Sequence, residues 1–251
     1  MARILVPLPD LDFDVTEVSV PWRLLTQAGH EVVFSTEEGH AAEADPLLLT
    51  GVLFGQLGAE PEACAFYREM EQASAFQNPV RWKDLAMQEF DALLLPGGHA
   101  PGMRQFLASE LLQERVASFC SLDRPIGAIC HGVLVLARTR DPATGKSVLA
   151  SHRTTCLPRY MEALAYGLTF WKLGRYYRTY AAYVEAEVRA ALDDADSQFE
   201  RGPITIGTRG TNEDDSPAFV VEDGRYVSAR WPGDAYLFAK RLMKRLERSG
   251  S

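Results

Sequence analysis

Cysteine, positive charge and long apolar runs are all scarce in this chain, and each shortage excludes a class of protein. The four cysteines among 251 residues, Cys64, Cys120, Cys130 and Cys156, form no CxxC pair, which argues against a disulfide scaffold and for free thiols in a reducing cytoplasm. No apolar stretch approaches the roughly 20 residues that cross a bilayer, and the opening MARILVPLPDLD turns acidic too soon for a signal peptide. Lys and Arg number 26 against 34 Asp and Glu, a formal charge of −8, so phosphate backbones and anionic lipid are repelled. The expected protein is cytoplasmic, with neither nucleic acid nor membrane as partner. Neither HxxxH nor CxxC spacing is present, and no GxGxxG joins a strand to a helix, so no metal and no cofactor is expected.

What remains is an ordinary globular composition, 47% hydrophobic and 24% charged, expected to form a single domain over residues 1–251. The apolar run RILVPL at 3–8 reads as a buried strand. Val15, Val18, Trp22, Leu25 and Ala28, closed by Gly29, predict a helix whose regular part begins near Pro21 or kinks there, and HEVVFST supplies the next strand. An insertion is expected over about 38–84, with a helix from about Pro61 to Ala75. ALLLPGG at 92–98 reads as a parallel strand ending in a glycine turn, with Leu107, Leu111, Val116 and Phe119 marking the helix after it. PIGAICHGVLVLA at 125–137 repeats strand, sharp turn and helix. AFVVEDGRYVSAR predicts two strands joined by an Asp-Gly turn, and Phe238, Leu242 and Leu246 stripe a closing helix. The sum is an α/β fold, a doubly wound and mostly parallel sheet sandwiched by helices, with helical insertions. From Tyr160 to Tyr183, 24 residues hold 8 of the chain's 25 aromatics. This predicts a helical embellishment at about 157–200 that buries itself against the sheet edge, a pocket or a second subunit.

The hexapeptide GAICHG, residues 127–132, carries the chemistry. A nucleophile between a buried strand and a helix sits on a strained turn with its side chain at the carboxyl end of the sheet, and flanking glycines permit the turn. The helix N-terminus behind Cys130 favours thiolate over thiol, which predicts a nucleophile at neutral pH. His131 supplies a neighbouring base and a backbone N–H for an oxyanion, and the turn Pro96-Gly97-Gly98-His99 supplies the opposite donor. An arbitrary cysteine is more often a small core residue; Cys64, Cys120 and Cys156, in or beside apolar periodic segments, are read that way. Asp234, after Pro232-Gly233, reads as a helix N-cap.

ALLLPGGHAPG followed by GAICHG strongly resembles the ThiJ/PfpI superfamily, relatives of class I glutamine amidotransferases with a flavodoxin-like fold. TEVSVPWRLLTQAGHEVVFST is similar to the family's first helix and second strand, and DGRYVSARWPGDAYLFAKRLMKRLE to its terminal strand, turn and helix. DPLLLT and the extended insertion are similar to the larger branch of chaperones with glyoxalase III activity. The likeness covers roughly residues 3–155 and 203–247. It implies that Cys130 is the nucleophile, with His131 beside it, and that Glu17 hydrogen-bonds to the sulfur. Burial there should raise the Glu17 pKa so that it stays protonated. It places the oxyanion and substrate site at Gly97, Gly98 and His99. The acid that orients the histidine in this branch has no clear counterpart: Arg159 stands about where it is expected, and Glu162 is the nearest carboxylate. The resemblance also implies a homodimer. Three functions follow as expectations: a cofactor-independent cysteine enzyme acting on a small reactive carbonyl such as methylglyoxal, glyoxalase III-like or deglycase-like; an amidase or peptidase-like hydrolase; and a stress chaperone or redox sensor that holds misfolded client protein.

Overall fold

The structure, a computed structural model, describes residues 1–53 and 57–249. Strands β1 (Arg3–Pro7), β2 (Leu11–Phe13), β3 (Glu31–Thr36), β4 (Glu43–Ala44), β5 (Val80–Arg81), β6 (Ala92–Leu95), β7 (Ile126–Ile129), β8 (Val220–Asp223) and β9 (Tyr226–Ala229) alternate with helices. The helices are α1 (Val15–Gln27), α2 (Pro46–Thr50), α3 (Pro61–Glu71), α4 (Ser74–Gln77), α5 (Met103–Ala108), α6 (Glu110–Cys120), α7 (Val133–Arg138), α8 (Arg159–Leu173), α9 (Val184–Ala191), α10 (Ala195–Gln198) and α11 (Ala235–Ser249). Among the described residues the main sheet has seven strands in the order β5-β3-β1-β6-β7-β9-β8, and β2 and β4 form a separate parallel pair.

Every neighbouring pair in the main sheet is parallel except β8 with β9. Those two are joined through Gly224, whose φ of +57° suits the expected Asp-Gly turn. The central strands β1 and β6 are almost wholly buried, Ile4, Leu5, Leu93 and Leu95 having no exposure at all. Strands covered on both faces need such unbroken apolar runs, and α1, α3 and α11 pack together over one face while α5, α6, α7 and α9 associate over the other. From β1 the chain passes outward to β3 and returns to β6 on the other side. This reversal opens a crevice at the carboxyl ends of the parallel strands, the place where such folds bind ligands.

Of the two readings for the first helix, a start near Pro21 gives way: it starts at Val15, because the Asp14 carboxylate caps it by accepting from Thr16 N at 2.8 Å and Glu17 N at 3.0 Å. Pro21 lies within that helix and leaves the Glu17 carbonyl without its helical donor. The segment 38–84 contributes the edge strand β5, whose Val80 and Arg81 lie opposite Ser35 and Thr36 of β3.

Candidate active site

Three chain segments meet at the carboxyl ends of β1, β6 and β7. Cys130 follows β7 directly, in a 3₁₀ turn over Cys130–Gly132, and takes φ of +58°. A side chain in the left-handed region is strained, and that strain is what turns the sulfur out of the sheet. The turn is possible because Gly132 carries no Cβ: one there would stand 2.2 Å from the Leu95 carbonyl oxygen. Cys130, His131 and Glu17 are all buried, with exposures of 0%, 1% and 0%.

Glu17 reaches the elbow from the first turn of α1. Its Oε2 accepts from the Gly97 backbone N–H at 2.7 Å, and its Oε1 is buried beside Cys130 with no hydrogen-bond partner among the described residues. Gly97 is fitted closely between them, since a Cβ there would lie 2.8 Å from Glu17 Oε2, 2.9 Å from Cys130 Cβ and 2.7 Å from His131 N. Burial, reinforced by the Asp14 carboxylate next to it, pushes the Glu17 pKa well above the ordinary carboxylate range. Asp14 itself is raised to about 6 by burial, and its backbone N–H donates to the Gly97 carbonyl at 2.9 Å. Asp14 therefore ties α1 to the turn after β6 and fixes where Glu17 points. Sequence reading passed over it, although an Asp directly before a helical apolar repeat is an N-cap signal.

The sulfur is 3.5 Å from His131 Nδ1, and the His131 backbone hydrogen bond favours its thiolate. The wider electrostatics differ from expectation. Burial first, then the charges of Glu17 and Asp14, push the Cys130 thiol well above its ordinary value. The helix beyond it, α7, has only six residues and begins after the 3₁₀ turn, so its dipole does not outweigh burial. A protonated Glu17 removes the largest neighbouring negative charge.

Glu162 lies elsewhere. Its carboxylate, 1% exposed, accepts from Arg178 Nη1 at 2.9 Å and from Val184 N at 3.0 Å. Both oxygens are thereby occupied in pinning α8 to the start of α9, so the expected orienting bond to His131 gives way to a structural one. Gly97 likewise departs from its expected role, because its N–H is given to Glu17 and not to an oxyanion. Asp234 directly precedes α11, and its carboxylate forms a fully buried pair with Arg230, Nε to Oδ2 at 2.8 Å, and also accepts from Phe219 N at 2.9 Å.

His99 is brought against the elbow, its ring centroid 4.7 Å from that of His131 and 5.8 Å from that of Tyr177. Burial lowers its pKa to about 4 and lowers that of His131 well below the usual value, so both rings are neutral at neutral pH. Ligand atoms of His99, Cys130 and His131 all lie within 4.8 Å of one another. Local spacing motifs do not register this set, because its members come from two separate turns. The aromatic segment closes the site from above. Tyr176 and Tyr177 donate their hydroxyls to Asp45 at 3.1 and 3.2 Å, and Asp45 also caps α2 through Leu47 N. Of the surfaces suggested for this segment, Tyr177 covers the pocket, while Phe170 and Trp171 stay 53% and 60% exposed.

Comparison with known proteins now bears on these features. Residues 8–203 match the family described as ThiJ/PfpI family-like. The chain belongs to the ThiJ/PfpI family. It is 28% identical over 247 residues to an uncharacterised Schizosaccharomyces pombe protein, covering 96% of this chain and 82% of that one. It is 24% identical to a Pyrococcus abyssi protein named a deglycase, covering 98% and 99% of the two chains. Among solved structures it resembles glyoxalase III from Candida albicans with a TM-score of 0.66 at 18% identity, covering 97% of each chain. That likeness agrees with the mostly parallel sheet and flanking helices described above. Among the described residues no helix is long and apolar enough to cross a membrane.

Proposed function

We propose that this ThiJ/PfpI family member is a cofactor-independent cysteine enzyme that converts 2-oxoaldehydes to 2-hydroxy acids. The observation carrying the proposal is the strained Cys130 elbow with a buried carboxyl, Glu17, beside its sulfur. The deglycase and glyoxalase III names of relatives add support at low identity.

The reaction needs no outside oxidant. The Cys130 sulfur bonds to the aldehyde carbon while its proton passes to His131, and the carbonyl π electrons move to oxygen. Backbone N–H groups of His131 and Gly98 stabilise that oxygen, which takes the proton back from His131 to give the hemithioacetal and leaves the imidazole neutral again. His131, neutral and 3.5 Å from the sulfur, then takes the proton from the former aldehyde carbon, and the electron pair forms an enediol. Proton return to the neighbouring carbon leaves a thioester. Water cleaves it, restoring the thiol, so substrate plus water equals the 2-hydroxy acid. Glu17 keeps its proton and holds the sulfur in line. Because Cys130 is fully buried, substrate enters as the His99 and Tyr177 side chains turn aside.

Amide hydrolysis is less well supported, because it relies on an oriented histidine to protonate the leaving amine, and the Glu162 carboxylate is occupied by Arg178 and Val184. Client-protein holding has one observation in its favour, the exposed Phe170, Trp171, Ile204 and Ile206. The test is lactate formation from methylglyoxal without glutathione, alongside suppression of client aggregation. Lactate from wild type, lost or reduced in His131→Ala, supports the enzyme. Aggregation suppression without lactate overturns it in favour of the holdase.

A further inference from the structure

Beside the elbow lies a cavity of about 270 Å³. Leu48, Val52, Leu157, Met161, Leu168 and Ile206 are among its walls, and His99 with Tyr177 also line it. His99 links the cavity to the chemistry, since its ring packs on His131 at 4.7 Å and His131 Nδ1 is 3.5 Å from the Cys130 sulfur. Methylglyoxal has one methyl group to set against these walls. Filling the cavity takes a substrate with several further carbons.

We infer that the preferred substrates are 2-oxoaldehydes bearing an extended apolar substituent, alkyl or aryl, with the dicarbonyl head at His99 and Cys130 and the tail in this cavity. The inference rests on the carbonyl reading above and narrows it. Two features support the assignment. The rim is apolar and open, with Leu164, Leu168 and Ile206 exposed by 40%, 44% and 71%, surface that a bound tail would cover. His99, on the cavity wall, carries an unused polar atom: its Nε2 is buried and has no hydrogen-bond partner among the described residues, as suits a group awaiting a polar head. The cation on the wall, Arg209, lies over the Trp231 ring at 5.2 Å and pairs with Glu60 at 3.5 Å, and its Nη1 is buried with no hydrogen-bond partner among the described residues.

The experiment compares kcat/KM for methylglyoxal, phenylglyoxal and 2-oxooctanal without glutathione, measuring the 2-hydroxy acid formed by wild type and by Ala165→Trp. Ala165 is half-buried on the cavity wall, and an indole there occupies the space assigned to the tail. Each fully buried methylene contributes roughly fourfold, so burial of even two or three of the five additional methylenes of 2-oxooctanal is expected to raise it at least about thirtyfold over methylglyoxal in wild type. Ala165→Trp is expected to cut that ratio at least tenfold. Leu168→Asp, which places a charge on the wall without filling it, is the second variant should Ala165→Trp fail to fold, and is expected to lower the same ratio. Equal kcat/KM for short and long substrates, with a ratio unmoved by a folded variant, overturns the inference while the carbonyl reading stands. A folded wild type that turns over none of the three overturns both.

Discussion

Replacing Glu17 with Gln separates the proposed chemistry from the packing that supports it. The amide keeps the carboxyl's shape, its carbonyl still accepts from the Gly97 N–H, and its NH2 takes the place of the carboxyl O–H beside the sulfur. What disappears is the acidic O–H, replaced by a weaker N–H donor. A hydrogen bond to a charged group contributes about 1.5–3 kcal/mol, and Glu17→Gln, which offers the developing sulfur charge a weaker donor, is expected to lower kcat for lactate formation by about ten- to a hundredfold while KM changes little. Stability moves the other way. In wild type, burial raises the folded pKa of Glu17 above the 4.5 of the unfolded chain. The fold therefore holds a proton the unfolded chain releases, and stability drains away as pH rises from 4.5 through the folded pKa. Glu17→Gln has no such drain, so urea unfolding at pH 8 should find it at least as stable as wild type. Turnover within threefold of wild type, in a folded variant, would refute the assignment.

Gly97→Ala sets a methyl 2.7 Å from His131 N and 2.9 Å from Cys130 Cβ, atoms of the elbow itself, and should cost about 1–3 kcal/mol and roughly a hundredfold in turnover; a thermal melt and kcat both unchanged would contradict it. Glu162→Ala strands the Arg178 guanidinium, whose side chain is only 10% exposed, and the Val184 N–H. Its expected loss in urea unfolding is about 3–5 kcal/mol, and a loss below about 0.5 kcal/mol would show the pair to be idle. His99 is held from 6.5 down to about 4 by burial, so below pH 6.5 the unfolded chain binds a proton that the fold does not, and this residue drains about 3 kcal/mol of stability between pH 6.5 and 4. Asp14, raised to about 6, contributes with the opposite sign over part of that range. The measurement is therefore the difference between wild type and His99→Gln, which should narrow as pH falls; parallel curves would contradict it.

The parallel core was legible because doubly covered strands are written as apolar runs, as in RILVP and ALLL. The elbow was legible because its glycines mark backbone that approaches backbone. Harder to read was whatever depends on contacts between distant segments. Nothing local to Glu162 tells that Arg178 and Val184 will claim it, and nothing local to Asp45 tells that Tyr176 and Tyr177 will bind it. The same limit explains the thiol. A helix end is visible in sequence, whereas the burial and the Asp14 charge that oppose it arise only when α1 meets β7. Pro21 misled for a related reason, since a strong cap at Asp14 outweighs one lost helical bond.

The central claim is that the Cys130 sulfur carries the substrate through the reaction. Comparing lactate yield from methylglyoxal for wild type and Cys130→Ala, without glutathione and with folding checked by circular dichroism, tests it most directly. The account predicts lactate from wild type and none above background from Cys130→Ala. Equal lactate from both proteins would contradict it.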